Sequence, residues 1–219
     1  MKKIAIVSYG GLPMPPVKGG AVETLVQALA DNNEIEKKIQ LTVISTPDED
    51  AISQAALYKN TCYKYADYGS VFGRWFSYYF NGVIRKFFPW LKYQIYPYMF
   101  NVVRKLKEEK YDYIILENRP EFAPYIKRKC KTPVLLHMHN DYFDRSYYAS
   151  DKLLDFVDKV FAVSDYVKDC ISTIDGHTEK ISILRNVIDT ERFSSVSREM
   201  RLSLRHGYGI DRNIKRKGE

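Results

Sequence analysis

The chain lacks any run approaching the roughly 18 apolar residues that a membrane-spanning helix requires. It also lacks paired cysteines, since Cys62, Cys130 and Cys170 are odd in number, far apart and free of C-x-x-C spacing. That excludes a disulfide framework and a cysteine zinc site, and predicts reduced, mostly buried thiols in a cytoplasmic protein. Lys2 and Lys3 precede an apolar run from Ile4 to Val7 that is too short for a secretory signal. Neither G-x-G-x-x-G nor a P-loop occurs, which removes support for a dinucleotide oxidoreductase or a P-loop nucleotidase. There is no internal repeat and no low-complexity tract.

What is present suits a globular α/β domain: 219 residues, 45% hydrophobic and 28% charged. Short apolar runs predict strands at Lys3–Ser8, Leu41–Thr46, Tyr111–Leu116, Pro133–Met138, Lys159–Val163 and Lys180–Leu184. Helices are expected between them, at Ala21–Ala30, Pro120–Lys129, Leu153–Val157 and Asp165–Ser172, the last capped by Ser164. In the first helix Val22, Leu25, Val26 and Leu29 read as the buried face. Residues Asp48–Ser70 read as irregular strands, and Val71–Lys110 as helix broken near Pro89 and Pro97. The alternation specifies a Rossmann-like, doubly wound, mainly parallel sheet over residues 1–193. Residues 194–219 turn polar and basic and read as a linker or tail.

Three motifs fall in the loops that follow strands. In L-P-x-P-P-V-K-G-G-A-V-E, Gly19 and Gly20 open a helix and leave amides unshielded, as a phosphate site would; they equally suit a tight helix entry, with Glu23 in the first turn as favourable dipole chemistry. In H-x-H-N-D, strand alternation sends His137 and His139 to one side, with His139 at the loop and expected to be exposed. Such a histidine can donate to a sugar hydroxyl or take a proton near neutral pH; a plain hydrogen-bonded histidine is the alternative. Zinc is set aside, because His177 and His206 are the only further histidines and lie in turn and tail contexts. In E-N-R-P-E, Glu117 to Glu121, the carboxylates suggest acid/base work, but Arg119 offers a solvated ion pair and Pro120 simply starts a helix.

Taken in order with A-V-S-D-Y-V and R-N-V-I-D-T-E-R-F, these motifs resemble the N-terminal domain of the retaining family-four GT-B glycosyltransferases, in particular a bacterial spore-coat and surface-polysaccharide subset. The likeness covers about Lys3 to Gly209. It implies that Gly19 and Gly20 face the donor diphosphate and that His139 lies beside the reacting sugar as the catalytic residue. It further implies that Asn118, Arg119, Asn140, Asp141, Ser164 and Asn186 line the donor-phosphate and acceptor wall. The donor is then a sugar nucleotide, its own phosphate takes the proton, and no metal or other cofactor is needed. Val187 replaces the glycine of the family's N-G-V-D turn formed here by Asn186 and Asp189. The family's C-terminal donor-binding domain has no counterpart after Ile210, so a missing domain or companion chain is expected, with the half inactive alone. A non-catalytic glycan- or lipid-binding module on the same fold is the alternative.

The net charge of +7 concentrates in Val71–Lys110, which holds eight basic and two acidic residues with thirteen aromatics. Through residues 71–100 this segment predicts peripheral contact with the inner membrane face and a lipid-linked acceptor, unless the rings are ordinary core. A nucleic-acid partner lacks any motif to support it.

Overall fold

The computed structural model describes residues 1–69, 71–88, 96–187 and 195–208. The chain divides into two compact units, residues 1–186 and 187–219.

The first unit is built on seven strands: β1 (Lys2–Val7), β2 (Ile39–Ser45), β3 (Thr61–Tyr65), β4 (Tyr113–Glu117), β5 (Val134–Met138), β6 (Lys159–Ala162) and β7 (Ile181–Ile183). They form one sheet in the order β3-β2-β1-β4-β5-β6-β7, and every pairing is parallel. The helices are α1 (Ala21–Glu36), α2 (Glu49–Ala55), α3 (Val71–Phe87), α4 (Pro97–Leu106), α5 (Ala123–Lys127), α6 (Ser150–Asp155) and α7 (Asp165–Ser172). The expected Rossmann-like, doubly wound α/β sheet is therefore present.

Side chains of successive strand residues point to opposite faces, and two cores result. Ala5, Val7, Ile44, Ile114, Leu116, Leu136 and Met138 join the larger core. Ile6, Leu41 and Val43 turn the other way and pack with Val26 and Ala30 of α1, with Ile115 against them. Burial on both faces explains why these strands read as continuous apolar runs rather than alternating ones.

The structure revises several local expectations. Where irregular strands were expected, Thr61–Tyr65 is indeed a strand, β3, but Glu49–Ala55 is the helix α2, capped by Asp48, which accepts from the amides of Asp50 and Ala51. The tail region contains a helix, α8 (Arg198–Gly207), whose cap Ser197 accepts from the Met200 amide. The cysteines are not mostly buried: Cys62 is exposed, and Cys130 and Cys170 are half-buried. Asp189, the Phe193 boundary, Pro89, Trp90 and Lys92 lie outside the described residues.

The most consequential revision concerns α1. Its buried stripe is Glu23, Val26, Ala30 and Asn33, and Leu29 is 44% exposed. Each residue turns a helix by about 100°, so this small rotation carries Glu23 inward and Leu29 out. The C-terminal half of α1 fixes that rotation. Asn33 bonds both the amide and the carbonyl of Ile39 at 3.2 and 3.1 Å. Glu34 accepts from the amides of Lys59, Asn60 and Thr61 at 2.9, 2.9 and 2.7 Å. These contacts tie the helix to the entrances of β2 and β3 and hold the Glu34 carboxyl below its ordinary range, the three amides outweighing the cost of desolvation. Glu34→Ala should lower stability by about 2 kcal/mol, since charged acceptors bonded to backbone amides are the stronger class; urea denaturation measures it.

Candidate active site

The strand order reverses direction between β1 and β4, so the connections leaving these strands go to opposite sides and open a crevice at their C-terminal ends. The loops after β1, β4 and β5 supply its lining.

The loop after β1 ends in the Gly19–Gly20 turn. Both glycines have positive φ, 75° and 111°. A Cβ at Gly20 would lie 2.1 Å from Glu23 Oε2 and 2.8 Å from Leu12 Cδ1, so the position excludes any side chain. Gly19 donates its amide to Pro16 O at 2.9 Å and does not offer it to a ligand. The first-turn amides of Ala21 and Val22 have no acceptor within α1 and remain available for an anion. Glu23 stands in the first turn of α1, as expected for favourable dipole chemistry, and is only 3% exposed. Desolvation raises its pKa above the ordinary value and the Glu117 carboxylate pushes the same way, while its own amide and His139 pull it down.

Parallel register sets Glu117 of β4 beside His137 of β5. Both point to the α1 face, as Ile115 does. Glu117 Oε2 lies 3.2 Å from His137 Nδ1 and 2.8 Å from His139 Nε2. The two rings pack with centroids 4.1 Å apart. The Glu117 and His139 side chains are only 4% and 6% exposed, so His139 is buried where exposure was expected. Burial would raise the pKa of Glu117, but the hydrogen bonds from both rings outweigh it and hold the carboxylate below its ordinary range.

Asn118 stitches the strand ends together. It sits at φ 56° and donates its amide to His137 O at 2.9 Å. Its side-chain oxygen accepts from the His139 amide at 2.8 Å and its nitrogen reaches Asn140 Oδ1 at 3.3 Å. The Tyr142 hydroxyl donates to its carbonyl. Arg119 bonds Glu121 at 2.9 Å and stands over the Tyr9 ring at 5.6 Å; Glu121 is nearly buried, so this is not the solvated pair that was expected. Tyr147 donates to the other Glu121 oxygen at 3.2 Å.

Of the expected residues, Asn118, His139 and Asn140 are joined by hydrogen bonds, Gly20 lies against Glu23, and Arg119 pairs with Glu121 and Tyr9. Asp141 turns toward α7, where it accepts from the Tyr166 hydroxyl at 3.0 Å. Ser164 spends its oxygen capping α7 on the Val167 amide. Asn186 is exposed after β7, beyond β6 from the histidines. Sequence reasoning named Glu23, Glu117 and His137 without carrying them into the site, and did not single out Tyr9 or Tyr142. For Glu117 and His137 the signal existed, as strand-end residues of matching parity; for Glu23 it did not, because the helix rotation hid it.

Glu117, His137 and His139 also present three ligand atoms within 4.8 Å of one another. Setting zinc aside by counting histidines had omitted this carboxylate. Two imidazoles and a carboxylate are a donor set that can hold zinc with its fourth position open, and the same atoms also stand at hydrogen-bond distances from one another, 2.8 and 3.2 Å. The contacts it makes are those of hydrogen bonds.

A crevice with a glycine-opened helix on one side and a carboxylate-held imidazole on the other, at the switch point of a parallel sheet, is the N-terminal half of a GT-B fold. The chain belongs to Glycosyltransferase Family 4, whose family model matches residues 21–192. It is similar to spore coat protein SA of Bacillus subtilis (strain 168), 27% identical over 175 residues, covering 78% of this chain and 38% of that protein. Among solved structures it resembles Anabaena HepE in complex with UDP-glucose, with a TM-score of 0.61 at 16% identity, covering 97% of this chain and 51% of that one. It also resembles the lipopolysaccharide outer core galactosyltransferase WaaB, with a TM-score of 0.54 at 15% identity, covering 85% and 46%. The chain spans about half the length of these solved relatives and 38% of the curated one.

The opposed shifts of the two buried carboxylates give a test. An acid whose folded pKa is raised costs stability once ionised, and that cost disappears as pH falls below its ordinary value of 4.5. Glu23→Gln should therefore melt above the parent at pH 7, and the gap should close toward pH 4 in thermal denaturation followed by circular dichroism.

Proposed function

We propose that this chain is the acceptor-side half of a retaining, sugar-nucleotide-dependent glycosyltransferase that builds bacterial surface glycan. The observation that carries this reading is His139, directly after β5 and bonded to Glu117 of β4 at 2.8 Å, beside the switch point whose β1 loop ends in the Gly19–Gly20 turn. The Ala21 and Val22 amides and the α1 dipole suit the donor diphosphate. His139 then stands beside the reacting sugar. Arg119 and Asn140 offer polar contacts to the acceptor, and the Tyr9 ring offers a stacking face. The donor phosphate takes the acceptor proton, and the step needs no metal. UDP-glucose, bound in the HepE structure, is the first donor to try.

Because the chain spans about half of its solved relatives, the 219-residue protein by itself should not turn over sugar nucleotide. Supplied with a family donor-binding half, in fusion or in trans, it should transfer sugar, and His139→Ala should slow that transfer by about 10²- to 10³-fold, the loss of one positioned polar contact. Donor turnover by the chain alone, or full activity of His139→Ala, would overturn the assignment.

The acceptor half also presents a surface suited to a lipid-linked acceptor. On α3, Ser77 and Ile84 are buried, while Phe72, Trp75, Phe76, Tyr78 and Tyr79 are exposed, Trp75 at 64%. Trp75 stacks on Tyr79 and Phe76 on Phe80, with centroids 6.0 and 5.6 Å apart. Core packing, the competing expectation, does not account for these rings. Interfacial rings beside a basic segment fit an anionic leaflet, each basic residue near the surface adding about 1 kcal/mol. Among the described residues no helix is long and apolar enough to cross a membrane. In flotation assays the chain should rise with vesicles containing phosphatidylglycerol and not with pure phosphatidylcholine, and Phe72→Ala/Trp75→Ala should abolish flotation. No binding at low salt would remove the membrane contact.

A further inference from the structure

The Gly19–Gly20 turn belongs to a loop that is fastened along its length. After β1 the Ser8 amide still donates to Ile44 O of β2 at 3.0 Å. Farther on, Leu12 O accepts from the Ser45 hydroxyl at 3.4 Å, and Pro13 bridges to Thr46. The Met14 side chain is fully buried in the core beneath α1. From Pro15 the backbone closes on itself: Val17 donates its amide to Pro15 O at 2.8 Å and Gly19 to Pro16 O at 2.9 Å. Folded in this way, the stretch between Met14 and Gly19 has little slack, and a shift at Met14 passes to the glycine turn.

Tyr65 holds that point. Strand alternation sends Tyr63 and Tyr65 of β3 to the α1 side, where Tyr63 packs on the same core and bonds Gln27 of α1. The Tyr65 hydroxyl lies 3.1 Å from Met14 O in the loop and 3.1 Å from Ala51 O in α2, and shares its one hydrogen between them. Burial first, then the Asp48 carboxylate, push this phenol up to about 12, so it keeps that hydrogen at neutral pH. Upstream, the Tyr68 hydroxyl donates to Gly10 O, and its ring stacks on the buried Tyr98 with centroids 5.1 Å apart.

We propose that Tyr65 is a positioning residue for the donor: by tying Met14 O to α2 and the end of β3, its hydroxyl fixes where the glycine turn and the Ala21 and Val22 amides stand. Tyr65 touches no substrate. The proposal rests on the sugar-transfer reading, which supplies the diphosphate that those amides meet. Backbone amides, unlike side chains, cannot swing to follow a ligand, so an anion held by them is sensitive to small displacements of the loop.

The test begins with native-state hydrogen exchange on the complete 219-residue chain. Tyr65→Phe removes the hydroxyl and keeps the ring. Amides of residues 17–22 should exchange about two- to tenfold faster in the variant, the worth of one hydrogen bond, while those of β4 and β5 keep their rates. Unchanged exchange over residues 17–22 overturns the proposal. In the fusion with a donor half, Tyr65→Phe should raise the KM for UDP-glucose about two- to tenfold with kcat within about twofold of the parent. The control is Asp112→Ala, which loses the bond to the Lys3 amide at the other end of β1. It should lower the melting temperature and leave KM alone. Equal KM changes in the two variants, or none in Tyr65→Phe, overturn the positioning role, since general loss of stability would then explain everything. Absence of turnover in the parent fusion counts against sugar transfer instead, and the exchange rates then decide by themselves whether Tyr65 holds the glycine turn.

Discussion

The parallel pairing of β1 with β2 on one edge and β4 on the other is the constraint from which the rest follows. A central parallel strand needs long connections on both sides, and those connections cover opposite faces of the sheet. Where they part, the loops after β1 and β4 have no neighbour between them. That gap is the crevice, and every residue gathered there arrives because its strand ends at that level.

The chemistry of the crevice rests on two buried glutamates in different surroundings. Glu117 is surrounded by donors: two imidazoles satisfy one oxygen, and its charge is stabilised. Glu23 has little beyond its own amide and faces the charge of Glu117, so it is held toward the neutral form. Two carboxylates whose pKa values are pushed apart are the usual basis for dividing roles between charged and uncharged acid. His139 is bonded to the first of them. The glycines of the α1 entry belong to the same unit, since a side chain at Gly20 would collide with the Glu23 carboxylate.

Buried polar groups of this kind make the crevice a costly feature of the fold. Packing at both ends of α1 compensates. Asn33 and Glu34 hold its C-terminal half to the first residues of β2 and β3, while Val26 and Ala30 pack on the sheet. The same rotation that seats these four residues forces Glu23 inward. Asn118, with its left-handed backbone and four polar contacts, does the corresponding work for the loops after β4 and β5.

Much was legible in the sequence, for identifiable reasons. Strands buried on both faces are written as apolar runs, so six of the seven had clear bounds; β3 (TCYKY) is half-buried and polar at its edge, and showed only as irregular strand. Ser164 announced the start of α7 because capping is a local bond between residues three apart. The aromatic segment displayed its composition but not its direction: rings in a helix are core or surface according to what stands beside them, and α3 turns them outward. The sequence by itself determined the strand order's raw material, the glycine entry and the family. Tertiary structure alone decided which side of α1 faces in, that Glu117 meets both histidines, and that His139 is enclosed, because these depend on strand register and helix rotation, which residues far apart in the chain set together.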